Sequence, residues 1–272
     1  MVRISHDHYL SFCQFLEQQC GIVLGDNRQY LVSSRLGPLL ARQKIDSLDA
    51  LLQQLKLAGN GQLRSQVIEA MTTNETQFFR DSYPFEAMKR VLFPEFQRAR
   101  GGHVRVWSAG CSSGQEAYSV IMAAQEYNAD GGYISVQVVG TDISQTMIQE
   151  ATAGRYTMSA LSRGLDQQRL KRFFVPIDAQ TWQVREDIRS RVSFRQHNLL
   201  DSYALLGRFD LILCRNVLIY FSQASRQDIL RRLAKTLNPG GYLILGSSES
   251  VSRQVDCFEL VRTPYGVVYR LR

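Results

Sequence analysis

Glycines and an aspartate follow two strand-like segments at spacings that suit a ligand-binding crevice. The segment VRVWSAG leads into a turn that contains Gly110 and Gly114, and a helix starts near Gln115. The next strand-like segment, VQVVGTD, ends at Asp142. Ligands bind at the carboxyl edge of parallel sheets, where glycines let backbone N–H groups approach a ligand closely. The spacing is not that of G-x-G-x-x-G, which makes a dinucleotide-binding fold a weaker fit.

Asp142 has two interpretations as a single residue. Its carboxylate can accept hydrogen bonds from both hydroxyl groups of a ribose, or it can cap the helix that follows from Ser144. The position after a Gly-x-x-x-Gly turn favours the ribose. The turn by itself is equally consistent with a tight bend that requires glycine for its geometry alone.

Polar residues also follow the third and fourth strand-like segments. Asn198 and Leu199 end the segment RVSFRQHNL, and Arg215 and Asn216 belong to FDLILCRN. Because parallel strands end at the same edge of a sheet, these residues are expected beside Asp142. The later sequence LNPGG, at 237–241, is typical of a helix C-cap and turn, which predicts a structural role.

These strands alternate with helical segments, which predicts a doubly wound, mostly parallel α/β sheet. The chain ends in FELVRTPYGVVYRLR, a pattern that predicts a β-hairpin closing the sheet in antiparallel fashion. The first hundred residues show helical periodicity only. The stretch 151–191 is not needed for the sheet and is interpreted as an insertion.

The composition indicates a globular protein with reduced thiols. The 272 residues are 44% hydrophobic and 21% charged, and the formal net charge is +7. No apolar run approaches the roughly 20 residues of a membrane helix, and the first residues lack a signal-peptide core, so we expect a cytoplasmic protein. Five cysteines without a CxxC pair argue against a zinc site and against a disulfide framework. The positive charge suggests an acidic partner, either nucleic acid or protein.

The ordered set of motifs resembles class I S-adenosylmethionine (SAM) methyltransferases, and in particular the CheR family of chemotaxis receptor methyltransferases. The matching stretches are TTNETQFFRD (72–81), WSAGCSSGQEAYS (107–119), GTDIS (140–144), HNLLD (197–201), CRNVLIYF (214–221) and LNPGGYLILGSSES (237–250). The resemblance implies a Rossmann-like methyltransferase domain at 83–272. It also implies a helical receptor-recognition domain at 1–82 and a small β-subdomain inserted at about 155–192.

The resemblance also implies which residues contact the cofactor. Arg80 would pair with its methionyl carboxylate, and Glu116 would bind its ammonium group. Asp142 would hold the ribose, Asn198 and Leu199 would border the adenine, and Arg215 and Asn216 would lie close to the reacting centre. The full implied set of cofactor contacts is Asn74, Thr76, Arg80, Gly110, Glu116, Asp142, Asn198, Leu199, Arg215 and Asn216.

Three residues are expected at the reaction itself, namely Arg80, Asn216 and Tyr220. Tyr220 faces the reacting centre in the family. Without the resemblance, we would interpret Glu116 as helix surface and Tyr220 as core packing. The implied reaction transfers a methyl group from SAM to glutamate side chains of chemoreceptor cytoplasmic helices, and S-adenosylhomocysteine (SAH) is the product. The reaction needs no general base, because the carboxylate is already ionised, and no acid, because the thioether leaves as a neutral group. No metal is expected.

The expected partner is the acidic helical bundle of a chemoreceptor. Arg28, Arg35 and Arg42 recur every seven residues along the second predicted helix, so they are placed on nearly the same side. A solvated basic face is the alternative interpretation of this row. We expect a monomer that inserts into no membrane and binds no nucleic acid.

The inserted subdomain docks a C-terminal receptor pentapeptide in some members of the family. Here the turn VPIDAQT between Phe174 and Trp182 contains no glycine and is shorter than the loop of such members. This predicts that the enzyme does not need the pentapeptide.

Three other functions fit the sequence less well. Methylation of nucleic acid or of a small molecule is the first, since a methyltransferase for adenine amino groups would carry an Asn/Asp-Pro-Pro-aromatic motif where CRNV stands. A SAM- or SAH-binding adaptor without turnover is disfavoured because Arg80, Asp142, Arg215, Asn216 and Tyr220 are all present. A dehydrogenase using NAD lacks both the glycine spacing and an acid–base candidate.

Overall fold

The computed structural model describes residues 4–272, which divide into two compact units. The described part of the first unit is residues 4–73 together with 220–226. The second unit consists of residues 74–219 and 227–272. The chain therefore leaves the first unit at residue 73 and returns to it once for a short segment.

The first unit is built from four helices, α1 (His6–Cys20), α2 (Gln29–Gln43), α3 (Leu48–Lys56) and α4 (Gly61–Met71). The Ser5 side chain caps α1 by accepting the N–H of His8, and Gly21 ends the helix with a φ of 75°. Buried residues recur along α1 at helical spacing, as in Tyr9 and Phe12. The helical prediction for this region is confirmed.

The second unit contains ten strands and the remaining helices. Its helices are α5 (Tyr83–Ala87), α6 (Phe93–Arg100), α7 (Gln115–Ala129), α8 (Gln145–Ala153), α9 (Met158–Leu161), α10 (Gln167–Phe173), α11 (Glu186–Arg189) and α12 (Gln223–Thr236), whose first turn belongs to the first unit. A π-helical turn, Met88–Leu92, joins α5 to α6, and a 3-10 turn spans Leu218–Tyr220.

The strands form two sheets. They are β1 (His103–Ala109), β2 (Ser135–Asp142), β3 (Arg155–Thr157), β4 (Phe174–Pro176), β5 (Thr181–Val184), β6 (Val192–Gln196), β7 (Phe209–Cys214), β8 (Leu237–Leu245), β9 (Phe258–Thr263) and β10 (Gly266–Leu271). The large sheet has the order β6-β2-β1-β7-β8-β10-β9. Its first five strands are parallel, and β10 and β9 are antiparallel, as the sequence predicts.

Burial explains why the central strands read as continuous apolar runs. Every residue of β7 is buried, and Trp107 and Phe209 are fully buried at neighbouring positions of the sheet. A parallel sheet covered by helices on both faces buries both sides of each strand. The apolar runs therefore predict central strands correctly without an alternating pattern.

The inserted segment forms the second, three-stranded sheet, with the order β3-β5-β4. Its aromatic residues pack on the segment that precedes α5, because the Phe78 ring lies edge-on to the rings of Tyr156 and Phe174 at 5.0 and 5.3 Å. The insertion ends before Val192, where β6 joins the large sheet beside β2.

Two predicted boundaries differ from the structure. The second unit starts at residue 74 and not at 83, because Phe78 and Phe79 are buried in the core of that unit. The sequence LNPGG is not a turn between helix and strand. It lies within β8, where the pairing with β7 shifts between Phe209 and Leu211, and this irregularity accommodates the extra residues.

Candidate functional site

Strand order creates a crevice at the carboxyl edge of the large sheet. β1 is paired with β2 on one side and with β7 on the other, and the chain runs from β1 to β2 but from β7 to β8, in opposite directions along the sheet. This is the switch point at which open α/β sheets bind ligands. The three strands end at Ala109, Asp142 and Cys214, and half of the predicted cofactor contacts lie at or soon after these ends.

The turn after β1 uses its backbone N–H groups internally. Gly110 N–H and Cys111 N–H both donate to the Thr141 carbonyl, at 2.8 and 2.9 Å. Gly110 has a φ of 77°, and a methyl group built on it would overlap the Val217 side chain. The Gly110 N–H is therefore used within the chain, and the cofactor contact expected at Gly110 stays a prediction. Glycine is required here by the backbone conformation and by the close approach of Val217.

Asp142 lies at the end of β2 and is buried, with 8% exposure. Its Oδ2 accepts the Ser112 N–H at 2.8 Å, and its Oδ1 accepts the Ser144 N–H at 3.0 Å. The cap of α8 is Ser144, whose hydroxyl accepts the Met147 N–H. Asp142 thus joins the turn after β1 to the start of α8. Ser144, and not Asp142, is the N-cap of α8.

Arg215 links three segments of the chain. Its side chain is 1% exposed, and its Nη1 donates to Glu116 Oε2 at 2.9 Å. Its Nη2 donates to the Arg80 carbonyl at 2.9 Å and to Asp81 Oδ2 at 2.7 Å. Glu116 in turn accepts the Ser108 hydroxyl at 2.7 Å. A buried guanidinium between two carboxylates can orient both of them.

Asn216 follows Arg215 in a strained backbone conformation. Its φ is 58°, and its N–H donates to Glu249 Oε2 at 2.7 Å. Its Oδ1 is buried and has no hydrogen-bond partner within residues 4–272. The Nε of Arg215 is likewise buried and unpaired in that part of the chain. A buried acceptor and a buried donor that lack partners mark a place for a polar ligand.

The segment 74–82 reaches the same crevice. The Ser112 hydroxyl donates to the Asn74 carbonyl at 2.8 Å, and the Phe79 N–H donates to the Ser119 hydroxyl at 3.0 Å. The half-buried Arg80 side chain donates through Nη1 to the Glu75 carbonyl. Thr76 lies in this segment between Asn74 and Arg80 and is half-buried.

Asn198 and Leu199 follow β6 beside Asp142. The N–H of His197 donates to the Asp142 carbonyl at 2.8 Å, and Asn198 Oδ1 accepts the Leu200 N–H at 3.0 Å. Arg232 holds this loop from α12, since its Nη2 donates to the Leu199 carbonyl at 2.7 Å. Burial lowers the pKa of the His197 imidazole, which favours its neutral form.

The two thiols near the crevice are not suited to nucleophilic chemistry. Cys111 lies in the turn after β1, and Cys214 ends β7. Burial raises the pKa of both thiols well above the ordinary value of 9.0, and nearby carboxylates add to the effect. Both therefore remain protonated and unreactive at neutral pH.

Tyr220 and the three arginines belong to the first unit. The Tyr220 carbonyl accepts the N–H of Val23, and the position of its ring at the reacting centre stays a prediction. Arg28 precedes α2, and its guanidinium donates to the Tyr30 hydroxyl. Arg35 donates to the carbonyls of residues 71 and 72, at 2.6 and 3.1 Å. Arg42 is exposed near the end of α2.

Several residues of the crevice carried no role in the sequence analysis. They are Asp81, Ser112, Arg232 and Glu249. Asp81 and Glu249 lie inside matching motifs, but a motif does not indicate which side chain meets which backbone group. Ser112 contacts Asp142 through its backbone N–H, which the residue type does not indicate. Arg232 is one of several arginines on α12, and nothing in the sequence distinguishes it from the others.

Residues 4–272 contain neither of two other kinds of feature, a cluster of metal-binding side chains or a membrane-spanning helix. No group of three or more His, Cys, Asp or Glu side chains in this part of the chain could hold a metal ion. None of its helices has both the length and the apolar character needed to cross a bilayer.

Both units match the two parts of one known family. Residues 74–267 match the domain described as "CheR methyltransferase, SAM binding domain". Residues 7–72 match the domain described as "CheR methyltransferase, all-alpha domain". The boundary between these matches falls where the two compact units divide.

Three relatives are similar over nearly their whole length. The chain is 50% identical over 265 residues to chemotaxis protein methyltransferase Cher2 of Pseudomonas putida, and the alignment covers 96% of each chain. It is 51% identical over 265 residues to chemotaxis protein methyltransferase 1 of Pseudomonas aeruginosa, again with 96% of each chain covered. It is 46% identical over 273 residues to chemotaxis protein methyltransferase 1 of Vibrio cholerae, with 100% of this chain and 99% of that chain covered.

A helical domain, a mostly parallel sheet closed by an antiparallel hairpin and two matching domain descriptions agree with one another. They confirm the predicted class I methyltransferase fold. The chain belongs to the CheR methyltransferase family.

Proposed function

We propose that this protein transfers methyl groups from SAM to glutamate side chains of chemoreceptor cytoplasmic helices and forms glutamate methyl esters. The observation that carries the proposal is the full-length similarity to chemotaxis methyltransferases at about 50% identity. The crevice supports it, because Glu116, Asp142, Arg215 and Asn216 converge at the switch point of the sheet. The product left in the crevice would be SAH.

The polar groups of the crevice fit the amino-acid end of SAM. Asn216 Oδ1 is a buried acceptor, and Arg215 Nε is a buried donor, and each lacks a partner within residues 4–272. An ammonium group supplies donors, and a carboxylate supplies acceptors, so a methionyl moiety can satisfy both. We assign Glu116 and Asn216 to the ammonium side, and Arg80 and Arg215 to the carboxylate side.

The rest of the cofactor would lie along the ends of β2 and β6. Asp142, which is buried at the end of β2, would bind the ribose hydroxyls with its carboxylate. Asn198 and Leu199 would border the adenine. Asn74 and Thr76 would approach from the segment before α5, which the Ser112 hydroxyl ties to the turn after β1.

The reaction requires alignment more than proton transfer. Bound SAM supplies an electrophilic methyl group on a sulfonium. A receptor glutamate is ionised at neutral pH, so this chain needs no general base, and none of its catalytic candidates is one. Arg80, Asn216 and Tyr220 would position the incoming carboxylate and strip part of its water, which raises its reactivity.

Receptor recognition is assigned to the helical unit. Arg28 and Arg42 are exposed and can meet acidic receptor helices. Arg35 is half-buried and binds the end of α4, so its contribution would be to shape this surface more than to contact the receptor. The connection between β4 and β5 is only 177–180, closed by Asp178 Oδ1, which accepts two backbone N–H groups. This short turn supports a receptor interaction that does not need a tail pentapeptide.

The first test is calorimetric titration with SAH of the wild type and of Asp142→Asn. Losing a charge-assisted hydrogen bond to the ribose should weaken SAH binding about tenfold or more. Asp210→Asn is the matched control, because Asp210 is a buried, hydrogen-bonded carboxylate at the other end of the sheet, beside Arg100 and Arg105. Its SAH affinity should stay within about twofold of wild type. Absence of SAH binding to the wild type would refute the proposal.

The acceptor is tested with receptor cytoplasmic fragments, with and without their C-terminal pentapeptide, and with labelled SAM. Methyl esters release methanol in mild alkali, whereas N-methyl groups do not. Alkali-labile label on both fragments, at similar rates, is the expected result. Label only on the fragment that carries the pentapeptide would contradict independence from the tail.

A further inference from the structure

The carboxylate of Glu249 lies between the two loops that follow β7 and β8. Its Oε2 accepts the backbone N–H of Gly246 at 2.8 Å and of Asn216 at 2.7 Å. Its Oε1 accepts the N–H of Val217 at 3.0 Å and of Ile219 at 3.2 Å. One side chain therefore holds four backbone donors from two loops at the carboxyl edge of the sheet.

These four bonds use the whole acceptor capacity of the carboxylate. A carboxylate has two oxygens with about four lone-pair sites in total, and each site of Glu249 faces one N–H. The Glu249 carboxylate therefore has no acceptor site left for a ligand, and it can affect ligand binding only through the loops that it holds. Hydrogen bonds to an ionised acceptor are stronger than neutral ones, so the group is a firm anchor.

The anchored loop contains a residue in a left-handed conformation. Asn216 has a φ of 58°, a region that most residues other than glycine avoid and that costs asparagine only modest strain. Such strain persists where surrounding contacts over-determine it, and it is concentrated at functional sites. Glu249 supplies the contacts on both sides of the strained peptide, at Asn216 N–H and Val217 N–H.

The two loops approach each other closely around the carboxylate. A methyl group built on Gly246 would lie 2.7 Å from Glu249 Oε2 and 2.9 Å from the Asn216 nitrogen. The next residue of the anchored loop, Val217, packs against Gly110 in the turn after β1. Glu249 thus holds the loop that carries Asn216, and the same loop contacts the turn after β1 through Val217.

We propose that Glu249 is a positioning residue, which holds Asn216 so that its buried carboxamide oxygen accepts a hydrogen bond from the ammonium group of the cofactor. The identity of that ligand rests on the proposed function. Positioning of the loop does not, because it follows from contacts within the chain. The two parts of the inference can therefore be measured separately.

The test compares Glu249→Gln with Asp210→Asn. Gln has nearly the same shape as Glu, but its amide replaces two acceptor sites by donors that would face backbone N–H groups. Asp210 is a matched carboxylate at the amino end of β7, where it accepts Arg105 N–H, Arg100 Nη1 and Asn238 Nδ2. Urea unfolding of both variants reports how much stability each loses, and hydrogen–deuterium exchange without cofactor reports the loop directly.

In Glu249→Gln, amide exchange in 215–219 should accelerate about tenfold or more, while exchange in β2 stays as in wild type. The affinity for SAH should fall about tenfold or more, and kcat should fall with receptor KM unchanged. Asp210→Asn should lose comparable stability, with SAH affinity within about twofold of wild type.

Unchanged exchange in 215–219 would overturn the positioning role. Accelerated exchange with SAH affinity within about twofold of wild type would overturn the link from the loop to the cofactor. If the wild type itself bound no SAH, the proposed function would fail, and the exchange data alone would decide whether Glu249 positions the loop.

Discussion

Arg215 connects three segments of the chain that border the crevice. Its planar guanidinium donates in two directions, to Glu116 on α7 and to the Arg80 carbonyl and Asp81 carboxylate before α5. A compact ammonium group cannot span these partners at once. The role of Arg215 therefore depends on the shape of its guanidinium as well as on its charge. An Arg-to-Lys change keeps the charge but is not conservative here.

We expect Arg215→Lys to lower the free energy of unfolding by about 2 to 4 kcal/mol, because a buried ammonium group cannot keep all the partners of the guanidinium and leaves the half-buried Glu116 partly unpaired. SAH affinity should fall with it, since Glu116 loses the partner that orients it. Urea unfolding and calorimetry measure the two effects. Arg270→Lys is the control, since Arg270 is half-exposed and 3.7 Å from Glu95, and it should change stability by less than about 1 kcal/mol. Equal stability of the two Lys variants would contradict this account of Arg215.

At the scale of elements, the glycines of the turn after β1 are required because neighbouring elements pack closely against this turn. Gly110 lies against Val217, and its N–H is already bound to the Thr141 carbonyl. Gly114 has a φ of 93° and lies against Ala151 of α8. The glycines let three elements meet, and the crevice results from that meeting.

Gly110→Ala should therefore destabilise the protein more than backbone strain alone would. Gly131→Ala is the matched control, because Gly131 also has a positive φ, of 92°, but has no neighbour within 4 Å of an added methyl group. The control should lose about 1 kcal/mol, and Gly110→Ala should lose about 1 to 3 kcal/mol more, as measured by urea unfolding.

The double variant Gly110→Ala/Val217→Ala separates steric overlap from other causes. Removing the Val217 methyl groups should restore part of the stability that Gly110→Ala loses, since the overlap involves these atoms. Strictly additive losses in the double variant would show that the two residues do not interact.

At the scale of the whole second unit, one half-buried carboxylate ties three distant segments together. Glu126 on α7 accepts Lys89 from the π-helical turn at 2.9 Å and Arg169 from α10 at 2.7 Å. The Arg169 guanidinium also stacks over the Phe79 ring at 3.7 Å. The inserted subdomain is therefore fastened to the helix that follows the crevice and to the segment that carries Arg80.

This arrangement predicts a pH dependence of stability. Burial raises the pKa of Glu126, but the hydrogen bonds and charges of Arg169 and Lys89 outweigh it, so the pKa is lowered from the ordinary value of 4.5. A carboxyl group with a lowered pKa in the folded state stabilises the protein above its ordinary pKa, and this contribution is lost as the pH falls through the folded-state value.

Glu126→Gln should accordingly be less stable than wild type by about 1 to 3 kcal/mol at pH 7, and the difference should shrink below about pH 4.5. Urea unfolding from pH 7 to pH 3.5 measures it. Gln183→Ala is the control, because this side chain donates to an uncharged group, the Ala153 carbonyl. A difference that stayed constant over the whole range would contradict the assignment.

Much of the architecture could be predicted from the sequence because it depends on local patterns. Apolar runs identify the central strands, helical periodicity identifies the first unit, and TPYG marks the hairpin between β9 and β10. The ends of β1, β2 and β7 carry the predicted polar residues, because position along a parallel strand is enough to place a residue at the edge.

Other features depend on contacts between residues far apart in the chain, and only the tertiary structure decided them. The unit boundary at residue 74 follows from the burial of Phe78 and Phe79, which no local pattern indicates. The Thr141 carbonyl, and not a ligand, takes the N–H of Gly110, since strand pairing brings the two together. The four donors around Glu249 come from two loops about thirty residues apart in sequence.

Local features could be predicted from the sequence and contacts between loops could not, for a physical reason. Helix and strand formation and edge position are set by the nearest neighbours in the chain and by burial, both of which leave a periodic trace in the sequence. Hydrogen bonds between loops depend on the relative position of packed elements to within a fraction of an ångström, which leaves no such trace. The sequence of this protein determined its fold and the edge that carries the site, and the tertiary structure decided which side chains bind and which ones hold them in place.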